Sequence, residues 1–131
     1  MYRFRLSLVV AALTVGVLQA HPGAHHAFAE FDVKKTIVVT GTVTRLAWIN
    51  PHAHIYIDVK DDAGSTTPWD FELGSPNTLI RRGWTDRTLK PGDVITVRGY
   101  RAKDGSRFAS AREVMLSDGR TVFAGSAAGD R

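Results

Sequence analysis

Short runs of alternating or β-branched residues, each ended by a turn that contains glycine or proline, dominate the chain after residue 35. Such runs are typical of β-strands, because successive side chains of a strand point to opposite faces. The run AHIYIDV, for example, alternates between apolar and polar residues at every position. The glycines of RGY, KDGS and SDGR are predicted to form turns. Strands are predicted at residues 36–48, 53–59, 69–73, 93–100 and 108–116, with a last short strand at 121–123.

One segment departs from this strand pattern. SPNTLIRRG places a serine suited to a helix N-cap before a proline and ends on a glycine, which predicts a short helix over residues 76–82. Three strands, a helix and two strands, with Gly41 bending a long first strand, form the order of an OB-fold. The predicted fold class is therefore all-β, a small five-stranded OB-like Greek-key barrel with one short helix between strands 3 and 4. A small antiparallel sandwich is the alternative.

The alternation also predicts which side chains are buried. Leu79 and Ile80 of the helix are expected to enter the core, and the three tryptophans are expected to pack in the core or beside the end of the helix. The residues predicted to be mostly buried are Val39, Val43, Ile55, Ile57, Phe71, Leu79, Val94 and Val97.

The first twenty residues have the character of a secretory signal. Arg3 and Arg5 precede an apolar run from Leu6 to Leu18, and Ala20 is a small residue suited to cleavage. The apolar run is shorter than the roughly 20 residues of a membrane-spanning helix, and no later segment approaches that length. We therefore predict an exported, periplasmic protein with no membrane span in its mature chain.

Four segments follow from this interpretation. Cleavage after Ala20 leaves 111 of the 131 residues, enough for one domain; Ala24 and Ala29 are alternative cleavage positions. The predicted segments are a signal peptide at 1–20, a histidine-containing leader at 21–35, the OB-like barrel at 36–124 and a flexible tail at 125–131.

The composition restricts the partners that such a domain can bind. The chain contains no cysteine, so a metal could bind only through nitrogen and oxygen atoms. Removal of residues 1–20 lowers the formal net charge from +4 to +2, because Arg3 and Arg5 are lost. So small a charge does not favour a polyanionic partner, and no nucleic acid is expected.

All five histidines lie in two clusters, with His52 and His54 at the entrance to the second strand and His21, His25 and His26 in the leader. A spacing of two places His52 and His54 on the same outward face. A turn near residue 63 or 64 then sets Glu72 or Gly74 opposite His54. Neutral imidazoles are common ligands of copper and zinc, and a carboxylate can complete such a site.

We therefore predict a non-catalytic binding module that handles a transition metal, copper or zinc. The predicted metal ligands are His25, His26, His52, His54 and Glu72. The alternative is an adaptor that binds a protein or a small ligand and in which the histidines are incidental. If His21 is the first residue, its amine and ring could hold copper in a histidine brace, but enzyme activity is not the leading expectation. Asp70, two positions before Glu72, is predicted to lie on a solvated face and not to form a glycosidase pair with it.

Several longer motifs point to a known family. HHAFAEFD, GTVTRLAWINPHAHIYIDV, WDFELGSPNTLIRRGW, LKPGDVITVRGYRAKDG and SDGR resemble a family of small exported bacterial proteins catalogued as a domain of unknown function. The resemblance spans residues 25 to 125 and implies export and an OB-like fold, but no activity. The paired histidine and the Asn-Pro-His motif of that family fall on His25, His26, Asn50, Pro51 and His52. Ala27 stands where the family usually has serine.

Overall fold

The computed structural model describes residues 27–125 of the chain. Within this range, a 3-10 helix at Ala27–Glu30 precedes six strands and one α-helix. The elements are β1 (Phe31–Ala47), β2 (His54–Lys60), β3 (Thr66–Glu72), α1 (Pro76–Arg81), β4 (Val94–Ala102), β5 (Phe108–Met115) and β6 (Thr121–Phe123). The predicted signal peptide, the leader up to residue 26 and the tail after residue 125 lie outside the described residues. No helix between residues 27 and 125 is long and apolar enough to cross a membrane.

The strands close into a barrel. Neighbours follow the order β3-β2-β1-β4-β5-β6, and a parallel pairing of β3 with β5 closes the ring β1-β2-β3-β5-β4. This ring, with α1 between β3 and β4, has the topology of an OB-fold, as the sequence predicts. The sheet has six strands instead of five, because the short run at 121–123 pairs with the second half of β5. The Gly74 amide donates to the Ala124 carbonyl at 2.9 Å, so the chain around β6 fills the gap beyond the end of β3.

The long strand β1 belongs to both sides of the barrel. Its first part pairs with β4 and its second part, from Thr42 onwards, pairs with β2. A β-bulge lies between Val43 and Arg45, two residues after the glycine that predicted a bend. A Cβ atom at Gly41 would lie 2.7 Å from the Asp58 carbonyl oxygen, so this glycine permits the close approach of β2. β1 starts at Phe31, earlier than predicted, because Phe31 pairs with Ala102.

Gly99 lies inside β4, as the predicted strand at 93–100 has it, and the prediction that this glycine forms a turn is wrong. The pairing of β4 with β5 shifts register between Arg98 and Gly99. A Cβ atom at Gly99 would overlap the Ser110 carbonyl oxygen and lie 3.1 Å from the Ala111 Cα atom. The two backbones therefore meet here at a separation that only glycine allows. Gly105 and Gly119, with φ angles of 77° and 85°, do occupy the predicted turns.

The barrel interior holds most of the predicted core. Buried members of the predicted set are Val43, Ile55, Ile57, Phe71, Leu79 and Val97, and Val39 is partly buried. Val94 is 55% exposed and its neighbour Ile95 is 2% exposed. At the start of β4, the side chain that faces the barrel interior is therefore that of Ile95 and not, as was predicted, that of Val94. Ile80 is also exposed, contrary to prediction, because so short a helix directs only one side into the barrel.

The helix α1 closes one end of the barrel. Ser75 caps it by accepting a hydrogen bond from the Thr78 amide at 3.3 Å, and Gly83 follows it with a φ angle of 88°, as the sequence predicts. Trp84 comes next and is buried, and its Nε1 donates to the Phe123 carbonyl at 2.8 Å. This hydrogen bond links the end of the helical segment to β6. Trp48 and Trp69 are only partly buried.

Candidate functional site

The outer face of the β2–β3 hairpin carries two histidines and two carboxylates. His54 pairs directly with Glu72, and the next outward pair is Tyr56 with Asp70. The position of the turn predicted either Glu72 or Gly74 opposite His54, and this register confirms Glu72. His52 precedes β2, where the backbone ladder continues through the hydrogen bond from the Leu73 amide to the Ala53 carbonyl. Both histidines therefore stand on the face that the alternation predicts.

Each histidine contacts a carboxylate through Nδ1. His54 Nδ1 lies 2.7 Å from Asp70 Oδ1, and His52 Nδ1 lies 3.2 Å from Glu72 Oε1. The His54 contact is a hydrogen bond, and because a carboxylate can only accept, Nδ1 of His54 donates and Nε2 holds the lone pair of the neutral ring. The His52 contact lies within ion-pair distance. The cluster of His52, His54, Asp70 and Glu72 is called the histidine–carboxylate cluster below.

Asp70 is a member of the site that the sequence analysis missed. It was predicted to lie on a solvated face, yet its side chain is only 32% exposed and is bonded to His54. The signal was present in the alternation, because residues two positions from a direct cross-strand partner are diagonal neighbours.

Two aromatic rings flank the His54 ring. The centroid of Tyr56 lies 6.1 Å away with an interplanar angle of 16°, and that of Phe108 lies 6.2 Å away with an angle of 10°. Phe108 in turn packs against Phe31 at 5.1 Å. These rings and the bond to Asp70 together fix the orientation of the imidazole.

The cluster changes the protonation of its members. The hydrogen bond to Asp70 raises the pKa of His54, against the opposing effect of partial burial. Burial raises the pKa of Glu72, because it disfavours the carboxylate, while His52 and His54 act in the opposite direction. The charge of Glu30 also raises the pKa of Glu72.

The predicted leader ligands His25 and His26, together with His21, lie outside the described residues. Glu30 follows His26 by four positions, and its carbonyl accepts a hydrogen bond from the Lys103 amide at 2.8 Å. Among residues 27–125, no group of three or more histidine and acidic side chains is arranged to hold a metal ion. The described part of the chain therefore offers two imidazoles with Nε2 available as a ligand atom, and a complete shell would need further donors.

We expect the His54–Asp70 pair to make the metal-free protein more stable as the pH falls through neutrality. Folded His54 holds its proton more tightly than the unfolded chain does, so folding takes up a proton. The unfolding temperature should rise as the pH is lowered through the raised pKa of His54 and level off below the ordinary histidine pKa of about 6.5. The raised pKa of Glu72 acts in the same direction at lower pH.

Calorimetric melts of Asp70→Asn and Asp62→Asn test this expectation. Asp70→Asn should lose most of the rise, whereas Asp62→Asn, which removes an exposed carboxylate of the β2–β3 turn, should keep it. Parallel curves for the parent and both variants would show that the pair does not link folding to protonation.

Comparisons with known proteins identify the family of the chain but assign no activity to it. A model described as a family of unknown function, DUF6152, matches residues 12–111 and confirms the resemblance drawn from the motifs. A comparison with curated proteins finds no match. Among solved structures, the chain is similar to the mitochondrial single-stranded DNA binding protein Rim1 from S. cerevisiae. The identity is 10% and the TM-score 0.49, and the match covers 63% of this chain and 92% of that chain.

Proposed function

The chain belongs to DUF6152, a family of unknown function, and we propose that it is an exported, non-catalytic module that binds copper or zinc. Export rests on the signal-like character of residues 1–20, and metal binding rests on the histidine–carboxylate cluster together with the leader histidines. The mass of the protein recovered from the periplasm would identify its first residue.

The observation that carries this proposal is the engagement of both Nδ1 atoms by carboxylates. Histidines that bind metals usually donate their other ring N–H to a carboxylate or carbonyl, which fixes the tautomer and strengthens the ligand nitrogen. His54 has this arrangement with Asp70 at 2.7 Å, and His52 Nδ1 lies within ion-pair distance of Glu72 at 3.2 Å. The proposed ligand atoms are therefore the two Nε2 atoms. Glu72, predicted from the sequence as a ligand, serves in this proposal as the acceptor that orients His52.

His25 and His26 are proposed to complete the shell. In the sequence, His26 precedes Glu30 by four positions. Glu30 belongs to the 3-10 helix at Ala27–Glu30, and its charge raises the pKa of Glu72, which supports a leader that can supply ligands to the cluster. A shell of imidazoles suits copper(II) and zinc(II), and the lack of cysteine excludes thiolate ligands. Metal binding would then order the leader and couple binding to local folding.

Calorimetric titration with copper(II) and zinc(II) tests the proposal. We expect one metal ion to bind per chain, and His52→Ala/His54→Ala to reduce the affinity to that of a short histidine-rich peptide. His25→Ala/His26→Ala should also weaken binding. Asp70→Asn, which replaces the charged acceptor of the His54 proton by a neutral amide, should weaken it by about tenfold to a hundredfold. Binding should weaken as the pH falls, because each imidazole must be neutral to coordinate, and the raised pKa of His54 should start this loss above the ordinary histidine pKa of about 6.5.

His21→Ala is the matched control, because it removes a leader histidine that the proposal leaves outside the shell. It should bind as the parent does. Equal affinity in the parent and in His52→Ala/His54→Ala would contradict the proposal, since the strand histidines would then contribute nothing.

A further inference from the structure

A second candidate site lies beside the histidine–carboxylate cluster, on the outer face of β1, β2 and β3. It is a cleft of about 400 Å³, within the range of small-molecule sites. We call it the Arg45 cleft, and its lining includes Arg45, Tyr56, Pro68, Trp69, Asp70 and Arg107. Neither the metal proposal nor the barrel core uses its two arginines.

The β-bulge in β1 positions the first arginine. The register shift after Val43 sets Arg45 opposite Tyr56, and Thr44 Oγ1 within the bulge donates to the Tyr56 carbonyl at 3.1 Å. The guanidinium carbon of Arg45 lies 4.2 Å from the centroid of the Tyr56 ring. A stacked guanidinium keeps its N–H groups at its edge, where they can bind an oxyanion through two hydrogen bonds.

The β4–β5 loop supplies the second arginine. The Asp70 amide donates to the Arg107 carbonyl at 3.0 Å, so the end of this loop is tied to β3 beside the cleft. Arg107 thus adds a second guanidinium to the lining, and both arginines have exposed side chains.

Some basic residues of the described chain are paired with carboxylates, for example Lys90 with Asp93 and Arg120 with Asp118. Within the part of the chain that the structure describes, no carboxylate forms an ion pair with Arg45 or Arg107. The acidic residue of the cleft, Asp70, directs its oxygen to His54 at 2.7 Å.

We propose that the Arg45 cleft binds a small ligand through its carboxylate or phosphate group, with a flat apolar body against the walls formed by Tyr56 and Pro68. Two guanidinium groups that have no carboxylate partner among residues 27–125 match an oxyanion in charge and hydrogen-bond geometry. This site goes beyond metal binding and agrees with the second function predicted from the sequence, a module for a small ligand.

NMR titration of the chelator-treated protein tests the cleft without any contribution from metal. The probes are benzoate and phenyl phosphate, with uncharged benzyl alcohol as the control for the apolar body. We expect saturable shifts confined to residues around the cleft for at least one anion, and none for benzyl alcohol. The tighter of the two anions identifies the head group as carboxylate or phosphate.

Two variants and a matched control connect binding to the arginines. Arg45→Gln and Arg107→Gln should each weaken binding by about tenfold or more, because each removes a charged hydrogen-bond donor. Arg81→Gln, which removes an exposed arginine of α1, should bind as the parent does. The proposal is overturned if neither anion saturates at millimolar concentration, if benzyl alcohol binds equally well, or if binding survives both substitutions. If a variant is poorly folded, the chemical-shift changes of the parent protein still test whether the anion binds in the cleft.

Discussion

Gly99→Ala is expected to remove about 3 kcal/mol or more from the free energy of unfolding, a large part of the stability of a small domain. The added methyl group would overlap the Ser110 carbonyl oxygen and lie 3.0 Å from its carbonyl carbon. These are backbone atoms of β5, so they can move only if the pairing of β4 with β5 opens. Urea unfolding, followed by circular dichroism, measures the loss.

Gly105→Ala separates this steric effect from the general effect of replacing a glycine. Gly105 has a positive φ angle, and no atom lies within 4 Å of a Cβ placed there. Its replacement should destabilise the fold by only about 1 kcal/mol. An equal or larger loss for Gly105→Ala would show that the contact between β4 and β5 is not the restricting feature.

Trp84→Ala is expected to destabilise the domain by about 3 to 5 kcal/mol. Trp84 is 1% exposed and lies in the same buried cluster as Leu79 and Phe71. The substitution would leave a cavity beneath α1 and would also remove the donor for the Phe123 carbonyl. Thermal and urea unfolding measure the combined loss.

Two further tryptophan variants separate the loss of apolar packing from the loss of the hydrogen bond. Trp84→Phe retains most of the apolar contact but leaves the Phe123 carbonyl without its donor, so it should destabilise by about 1 to 3 kcal/mol. Trp48→Ala removes a tryptophan that is only partly buried and should have a smaller effect than Trp84→Ala. A Trp48→Ala loss as large as that of Trp84→Ala would contradict the importance assigned to the contact beneath the helix.

The fold could be predicted because turns and alternation are local properties of this chain. The helix signal in SPNTLIRRG also depends only on neighbouring residues, and its serine cap and glycine end are both observed. The phase of β4 could not be predicted so well. Val94 and Ile95 are both β-branched and apolar, so the choice of the inward residue depends on how β4 meets β1 and β5. Gly99 was misassigned for a similar reason, since its close neighbour comes from another strand.

The sequence predicted which side chains of the candidate site share one face of the sheet, but it did not predict which of them are in contact. Alternation placed His52, His54 and Glu72 together, and the observed register sets His54 opposite Glu72. The side chains nevertheless meet diagonally, His54 with Asp70 and His52 with Glu72. Strand twist and side-chain rotamers select between a direct and a diagonal neighbour, and neither is specified by the alternation.

The parallel pairing of β3 with β5 determines when a growing chain can become a finished domain. Asp70 and Phe108 are neighbours in this pairing but lie 38 positions apart in the sequence. A nascent chain that has not reached β5 has a sheet with two open edges, and open edges are the surfaces on which strands of separate molecules associate. A chain that ends before β5 would leave β3 and β4 as the unpaired edges of the sheet. We therefore expect such a chain to associate through these edges and not to form a smaller version of the barrel.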